Sequence, residues 1–263
     1  MTSVQTADDA IVLDRLSVGG RSGASCREVS LRVPAGTVYA LLGRGDAGSA
    51  LLACAAGKRK PSSGRVLLFG DDAWKKRRRL RPLLALVAPD GRTAPEELWD
   101  RALAAQPRLL LLDGHAAGSR PFARPLSGRI REAAARGAAI LLATGNAADA
   151  ESVADRVGIL RGGALALDEE VSTLTSRFRR LRYRNEITET RTEYGTELDD
   201  FDAVRVRVRG SGVEAIVSNF NEQLFERLQS ADGVADAEAR PVTLAEIFLS
   251  VAANGTAATG SGF

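Results

Sequence analysis

Aromatic residues make up only 5% of this 263-residue chain, which holds one histidine, one methionine and two cysteines. So few rings, together with a formal net charge of only +3, argue against a dedicated nucleic-acid binder, which needs a basic face and stacking side chains. The cysteines, Cys26 and Cys54, lie far apart and form no C-x-x-C pair. Neither a zinc site nor a disulfide framework is expected, and a reducing cytoplasm is the default compartment. No apolar run approaches the roughly 18 residues of a membrane span, so direct membrane insertion is not expected. The start, "MTSVQTADDA", carries acidic residues and no apolar segment, unlike a secretory signal. Any membrane contact is expected through a partner.

What is present suffices for a core: 44% of residues are hydrophobic and 26% charged. That length and balance suit one large domain, or one large and one small. "IVLDRLSV" and "VSLRVPAGTVYALLG" read as strands, the second ending at Leu42 before a glycine-rich loop. "LLLLD" (109–113) and "AAILLATG" (138–145) are short continuous apolar runs, as strands buried on both faces of a parallel sheet require. Between them "GSRPFARPLSGRIREAAARG" reads as a helix that Pro125 delays or kinks and Gly137 closes. Strand, helix and strand in this order make a crossover unit. "RVGIL-RGG-ALALD" reads as a hairpin turning at Arg161, Gly162 and Gly163.

Near residue 170 the character changes. "EEVSTLTSRFRRLRYR" reads as a basic amphipathic helix and "NEITETRTEYGTELDD" as a polar stretch. "AVRVRVRG" alternates as a half-exposed strand does. "VEAIVSN" reads as a strand, "NEQLFERLQSA" as a helix, and "TLAEIFLSVA" as a last helix opened by Thr243. The expected organisation is a core over 1–170, a helix and linker over 171–199, a small α+β unit over 200–252 and a disordered tail over 253–263.

The loop "LLGRGDAGSALLACAAG" (41–57) has the outline of a phosphate-binding loop, with Gly43 and Gly48 in place and no lysine after Gly48. With "ALAAQPRLLLLD", "ADAESVADRVGILRGGALALDE" and "TLAEIFLSV" following in order, the chain resembles the ATP-binding subunits of ABC transporters. The resemblance is closest to the bacterial exporter type with a C-terminal extension, and it covers most of residues 10–252. It implies an α/β fold: a P-loop NTPase-like ABC cassette core with a parallel sheet, plus a small C-terminal α+β unit. The helical subdomain is largely missing, since only "GRTAPEELWDRALAAQPR" separates Asp90 from Leu109.

The same resemblance marks which chemical groups are absent. The loop fits best if the lysine is deleted, leaving Ser49 in the Mg²⁺-binding place with Ala50 after it. Residual nucleotide binding would then fall to Gly43, Gly45, Gly48, Ser49 and Ala50, and a Mg²⁺ site to Ser49 with Asp113. Asp46 puts a negative charge where a triphosphate would lie. Gly114 stands where the family carries its catalytic glutamate, and Gly145 where it carries the switch histidine. No signature "LSGGQ" precedes "LLLLD"; "PLSGR" (125–129) follows it. The glycines 43, 45 and 48 have a plain reading as well, as positive-φ residues of a strand-to-helix turn. The single histidine, His115, reads as structural. The basic run "KKRRRLR" (75–81) reads as a solvated face.

Three functions follow as expectations. The first is a catalytically degenerate ATP-binding-type subunit, a pseudo-ATPase. It would be cytoplasmic and partnered by a membrane-spanning ABC transporter subunit or another ABC ATPase subunit. The second is an exporter subunit with residual ATP and Mg²⁺ binding and weak hydrolysis. The third is a soluble binder of nucleic acid or anionic surfaces through its two basic helices.

Overall fold

The computed structural model describes residues 9–20, 23–88, 93, 95–114, 124–185, 198 and 200–253. The chain forms two compact units, residues 1–170 and 171–263. The first contains β1 (Asp9–Gly20), β2 (Gly23–Pro34), β3 (Val38–Leu42), α1 (Ala47–Ala55), β4 (Ser63–Leu68), β5 (Asp71–Asp72), α2 (Arg77–Leu80) and β6 (Leu84–Val87). It continues with α3 (Pro95–Ala104), β7 (Leu109–Asp113), α4 (Arg124–Ala135), β8 (Ala139–Thr144), α5 (Ala147–Val153), β9 (Arg156–Arg161) and β10 (Ala164–Glu170).

The runs that are apolar at almost every position become the centre of a six-stranded sheet, ordered β10-β9-β3-β8-β7-β6. Strands β3, β7 and β8 are buried along their whole length. All neighbours in this sheet pair in parallel except β10, the return arm of a hairpin on β9. That hairpin turns on Gly162 and Gly163, with φ of 57° and 82°; Arg161 pairs with Ala164 and so belongs to the strand rather than the turn. Strands β1, β2, β4 and β5 make a separate antiparallel sheet. The segment from Val29 to Leu42, expected as one strand, is two strands in two sheets, divided after Pro34 and at Gly36, whose φ is 74°. Cys26 and Cys54 come together in the core between these layers as free, buried thiols. Burial, and next the neighbouring Cys26, pushes the Cys54 thiol up to about 11, which keeps it protonated and inert.

Helix α4 starts at Arg124 with Pro125 in its first turn, the place where proline's missing N–H costs nothing. It ends before Gly137, whose φ is 97°. The "PLSGR" stretch therefore lies inside this crossover helix. Between β6 and β7 the described residues hold one helix, α3, with Trp99 and Leu103 buried. Around the basic run 75–81, residues 75 to 79 are exposed; Lys76 and Arg79 reach Asp71, and Arg77 stacks on Trp74.

The second unit contains α6 (Val171–Arg177), β11 (Arg179–Asn185), β12 (Ala203–Arg209), β13 (Gly212–Val217), α7 (Glu222–Gln229), β14 (Val234–Pro241) and α8 (Leu244–Ala253). The helix expected over 169–184 ends at Arg177; from Arg179 the chain is a strand. Leu181 and Tyr183 are buried while Arg182 and Arg184 are exposed, a period of two that the density of arginine disguises. The reading built on two basic helices therefore loses one of them. Strand β11 sits inside an antiparallel sheet ordered β12-β13-β11-β14, whose apolar face packs Leu181, Tyr183, Val213 and Ala215 with Leu228 of α7. Strand β14 was not expected from the sequence. Strand β12 is one of the two edges, and its Val206 and Val208 stay 43% and 40% exposed. The polar stretch over 186–197 and the tail over 254–263 lie outside the described residues.

Two caps fix the helices of this unit. Asn221 Oδ1 accepts from the Leu224 N–H at 2.9 Å and opens α7. Thr243 and Glu246 form a reciprocal capping box on α8: Thr243 N–H donates to Glu246 Oε2 at 3.0 Å, and Glu246 N–H to Thr243 Oγ1 at 3.3 Å. Thr243→Ala is expected to cost about 1 kcal/mol in a chemical denaturation midpoint. An unchanged midpoint would remove the cap from the account of this unit.

Candidate functional site

In open α/β sheets, ligands bind beyond the carboxyl ends of the parallel strands. Three neighbouring strands end there in register: Leu42 of β3 beside Thr144 of β8, and Ala143 of β8 beside Asp113 of β7. Each is followed by a glycine, namely Gly43, Gly145 and Gly114.

Two of these glycines are held by close packing. The Gly43 N–H donates to the Thr144 carbonyl at 3.2 Å, and a Cβ on Gly43 would lie 3.1 Å from Leu160 Cβ. The Gly114 N–H donates to the Ala143 carbonyl at 2.8 Å, and a Cβ there would lie 3.1 Å from both Cβ and Oγ1 of Thr144. Gly145 is different, sitting exposed in a bend. After it, the Asn146 N–H donates to Thr144 Oγ1 at 3.0 Å, and Asn146 Oδ1 accepts from the Ala148 N–H at 3.0 Å to open α5. Thr144 Oγ1 in turn faces the buried Asp149 carboxylate at 3.4 Å. This polar network around Thr144, invisible in the loop pattern, is what organises the sheet edge.

The loop from Gly43 leads into α1 at Ala47. Only Gly45 of the three loop glycines has positive φ, at 77°, so the turn explanation holds for it and not for Gly43 or Gly48. Gly48, Ser49 and Ala50 all lie in α1, Gly48 and Ala50 buried and Ser49 half-buried. Asp46 stands just before the helix. Its Oδ2 accepts from Ser25 Oγ at 3.1 Å, so the amino end of α1, which favours an anion, already has a carboxylate beside it. Arg44, exposed, is the only cation from Gly43 to Ala50, and the loop pattern gave no reason to single it out. Asp113 is buried at the end of β7, and Ser49 lies in α1, the helix that packs across β7 and β8. Among the described residues no three His, Cys, Asp or Glu side chains cluster as a metal site would. His115 lies outside the described residues.

No protein-family model matches the sequence, and no curated protein does. Solved structures do match. The chain is similar to an ATP-binding subunit of an ABC transporter with a TM-score of 0.56 and 19% identity, covering 64% of this chain and 92% of that one. The fold is that of an ABC ATP-binding cassette. A nucleotide-free ATP-binding cassette from an ABC transporter matches with a TM-score of 0.54 and 14% identity over 62% of this chain and 91% of that one. A bacterial Atm1-family ABC exporter matches with a TM-score of 0.55 and 17% identity, over 66% of this chain and 41% of the exporter. At these identities the likeness reaches the fold alone. No described helix is long and apolar enough to cross a membrane.

Proposed function

We propose that this cassette is a pseudo-ATPase, a subunit that does not hydrolyse ATP and serves an ABC transport complex by binding. Its partner in this reading is a membrane-spanning transporter subunit or a second ATP-binding subunit, met at the cytoplasmic face of the membrane. The observation that carries the reading is the glycine edge: the strand ends that would present a general base and a γ-phosphate contact present Gly114 and Gly145. Phosphoryl transfer depends on placed charge and little else, so each missing group costs orders of magnitude in rate.

The described residues do not fit a magnesium triphosphate. No lysine follows Gly48, and the amino end of α1 is adjoined by Asp46. A carboxylate about 4 Å from a phosphate oxygen repels it by on the order of 4 kcal/mol at an effective dielectric of about 20. Gly45 keeps a positive φ at the turn into α1, which supports retention of the turn without retention of affinity.

Millimolar Mg-ATP is expected to leave the melting temperature unmoved, and phosphate release is expected to stay at the buffer blank. Stabilisation by about 1.4 kcal/mol, the amount a ten-fold excess over Kd confers, would overturn the loss of binding. It would favour the exporter subunit with residual nucleotide binding, with Ser49 and Asp113 as the residues to change next.

A further inference from the structure

The second unit carries a feature that a cassette's nucleotide chemistry does not use. The face of its sheet opposite the apolar core is built of arginine. Register places Arg207 of β12, Glu214 of β13, Arg182 of β11 and Glu238 of β14 side by side in one row. The next row runs Arg209, Gly212 and Arg184. On the other side Arg205, Ile216, Arg180 and Arg240 form a third row. There Ile216 is buried and Arg180 pairs with Glu246 of α8, so α8 meets this end of the face. The first two rows stay open and enclose a groove of ≈ 490 Å³. Gly212, with no side chain in the middle strand, lowers its floor.

Charge in the groove is not balanced. Glu214 holds Arg182 at 2.6 Å and Asp236 holds Arg184 at 2.6 Å. These ion pairs use the carboxylates that line the groove and fix two of the four guanidinium groups. Among the described residues no carboxylate forms an ion pair with Arg207 or Arg209. The two stand on the same face of β12, roughly 7 Å apart at the rise of a strand. Arg182 holds the Glu214 carboxyl below its usual range, and Arg207 adds a smaller pull, so this acid stays ionised and tied to its partner.

From this geometry we infer that the groove over Gly212 binds a compact polyanion, a solute bearing two adjacent phosphoryl groups, with Arg207 and Arg209 as its principal contacts. A guanidinium offers paired N–H donors that match phosphoryl oxygens, and two such forks at this spacing match two joined phosphates. The volume is within the range of small-ligand pockets. A nucleic-acid strand is disfavoured because, among the described residues, Tyr183 is the one ring that lines the groove, and it is buried with the apolar core and offers no face for a base to stack on. A lipid surface is disfavoured because the free charge lies in a groove.

The test is isothermal titration of the full chain with inorganic pyrophosphate at low salt without Mg²⁺, beside the double variant Arg207→Ala/Arg209→Ala and the single variant Arg205→Ala. The wild type is expected to bind, the double variant at least ten-fold more weakly with an unchanged circular dichroism spectrum, and Arg205→Ala within two-fold of wild type. Equal binding by the double variant would overturn the inference and move the anion elsewhere, the glycine loop included. An equal loss in Arg205→Ala, or equal affinity for sulfate, would reduce the site to diffuse charge. Absence of pyrophosphate binding would overturn it as well, and arginine-dependent capture by phosphatidylglycerol vesicles in that case would make the face a lipid surface.

Discussion

Gly158→Ala is expected to destabilise the first unit by about 2–3 kcal/mol, the upper range for overpacking a core. Gly158 lies in β9 between Leu41 of β3 and Asp168 of β10. A Cβ there would fall 2.5 Å from the Tyr39 hydroxyl and 3.0 Å from Leu165 Cδ1. Tyr39 is completely buried and cannot swing aside, and among the described residues its hydroxyl lies beside the Asp168 carboxylate without a well-formed hydrogen bond. The missing side chain at Gly158 is therefore the space in which this ring ends. Tyr39→Phe removes the closest clashing atom, leaving Leu165 Cδ1 at 3.0 Å and Leu41 Cδ1 at 3.1 Å as the nearest. Adding Tyr39→Phe to Gly158→Ala should recover about half of the loss, with a coupling of ~1 kcal/mol in a double-mutant cycle. Strict additivity of the two changes would show that the ring and the strand do not share this space.

The same tyrosine gives stability an alkaline limit. Burial, and next the Asp168 carboxylate, raise Tyr39 above the ordinary tyrosine range. The folded state therefore holds this proton more tightly than the unfolded chain does. Stability is complete below about pH 10, the unfolded value, and falls by up to ~1.4 kcal/mol per pH unit above it. The Tyr39→Phe variant should lose that part of the slope, read from urea midpoints between pH 9 and 11. A wild-type curve parallel to the variant's would contradict the account of Tyr39.

The parts of this structure that were legible in sequence are those where one period dominates. Leu109–Asp113 and Ala139–Thr144 are apolar at almost every residue and could only be central strands. The capping threonine, Thr243, and the closing glycine, Gly137, announce helix ends by chemistry that side chains cannot imitate elsewhere. Strand β11 was not legible because arginine occupies both its exposed positions and its approach, and charge at that density resembles a helix's solvated side. Strand β14, "VADAEARP", alternates only weakly because alanine serves as its apolar residue. At the candidate site, the sequence could say which groups were absent but not why. That Gly43 and Gly114 are packed against Leu160 and Thr144, and that Gly145 is not, depends on side chains more than ten residues away in the chain.

That difference sets the outcome of writing the family's groups back. Inserting a lysine after Gly48 and adding Gly114→Glu and Gly145→His is expected to leave phosphate release within two-fold of the blank. Gly145 is exposed, so histidine there should change stability by no more than about 0.5 kcal/mol. Gly114 is closed. A side chain must displace Thr144, whose hydroxyl accepts from the Asn146 N–H and faces Asp149. Gly114→Glu alone should therefore cost about 1–3 kcal/mol and tilt the start of α5, moving the very position that histidine would occupy. The restored lysine would meet Asp46, which would compete with phosphate for its charge. A hundred-fold rise in phosphate release in the triple change would mean that the edge had kept its catalytic geometry and lost only its side chains. Background release, together with the loss of stability confined to Gly114→Glu, would mean that the packing around Thr144 has closed over the place where the glutamate would stand.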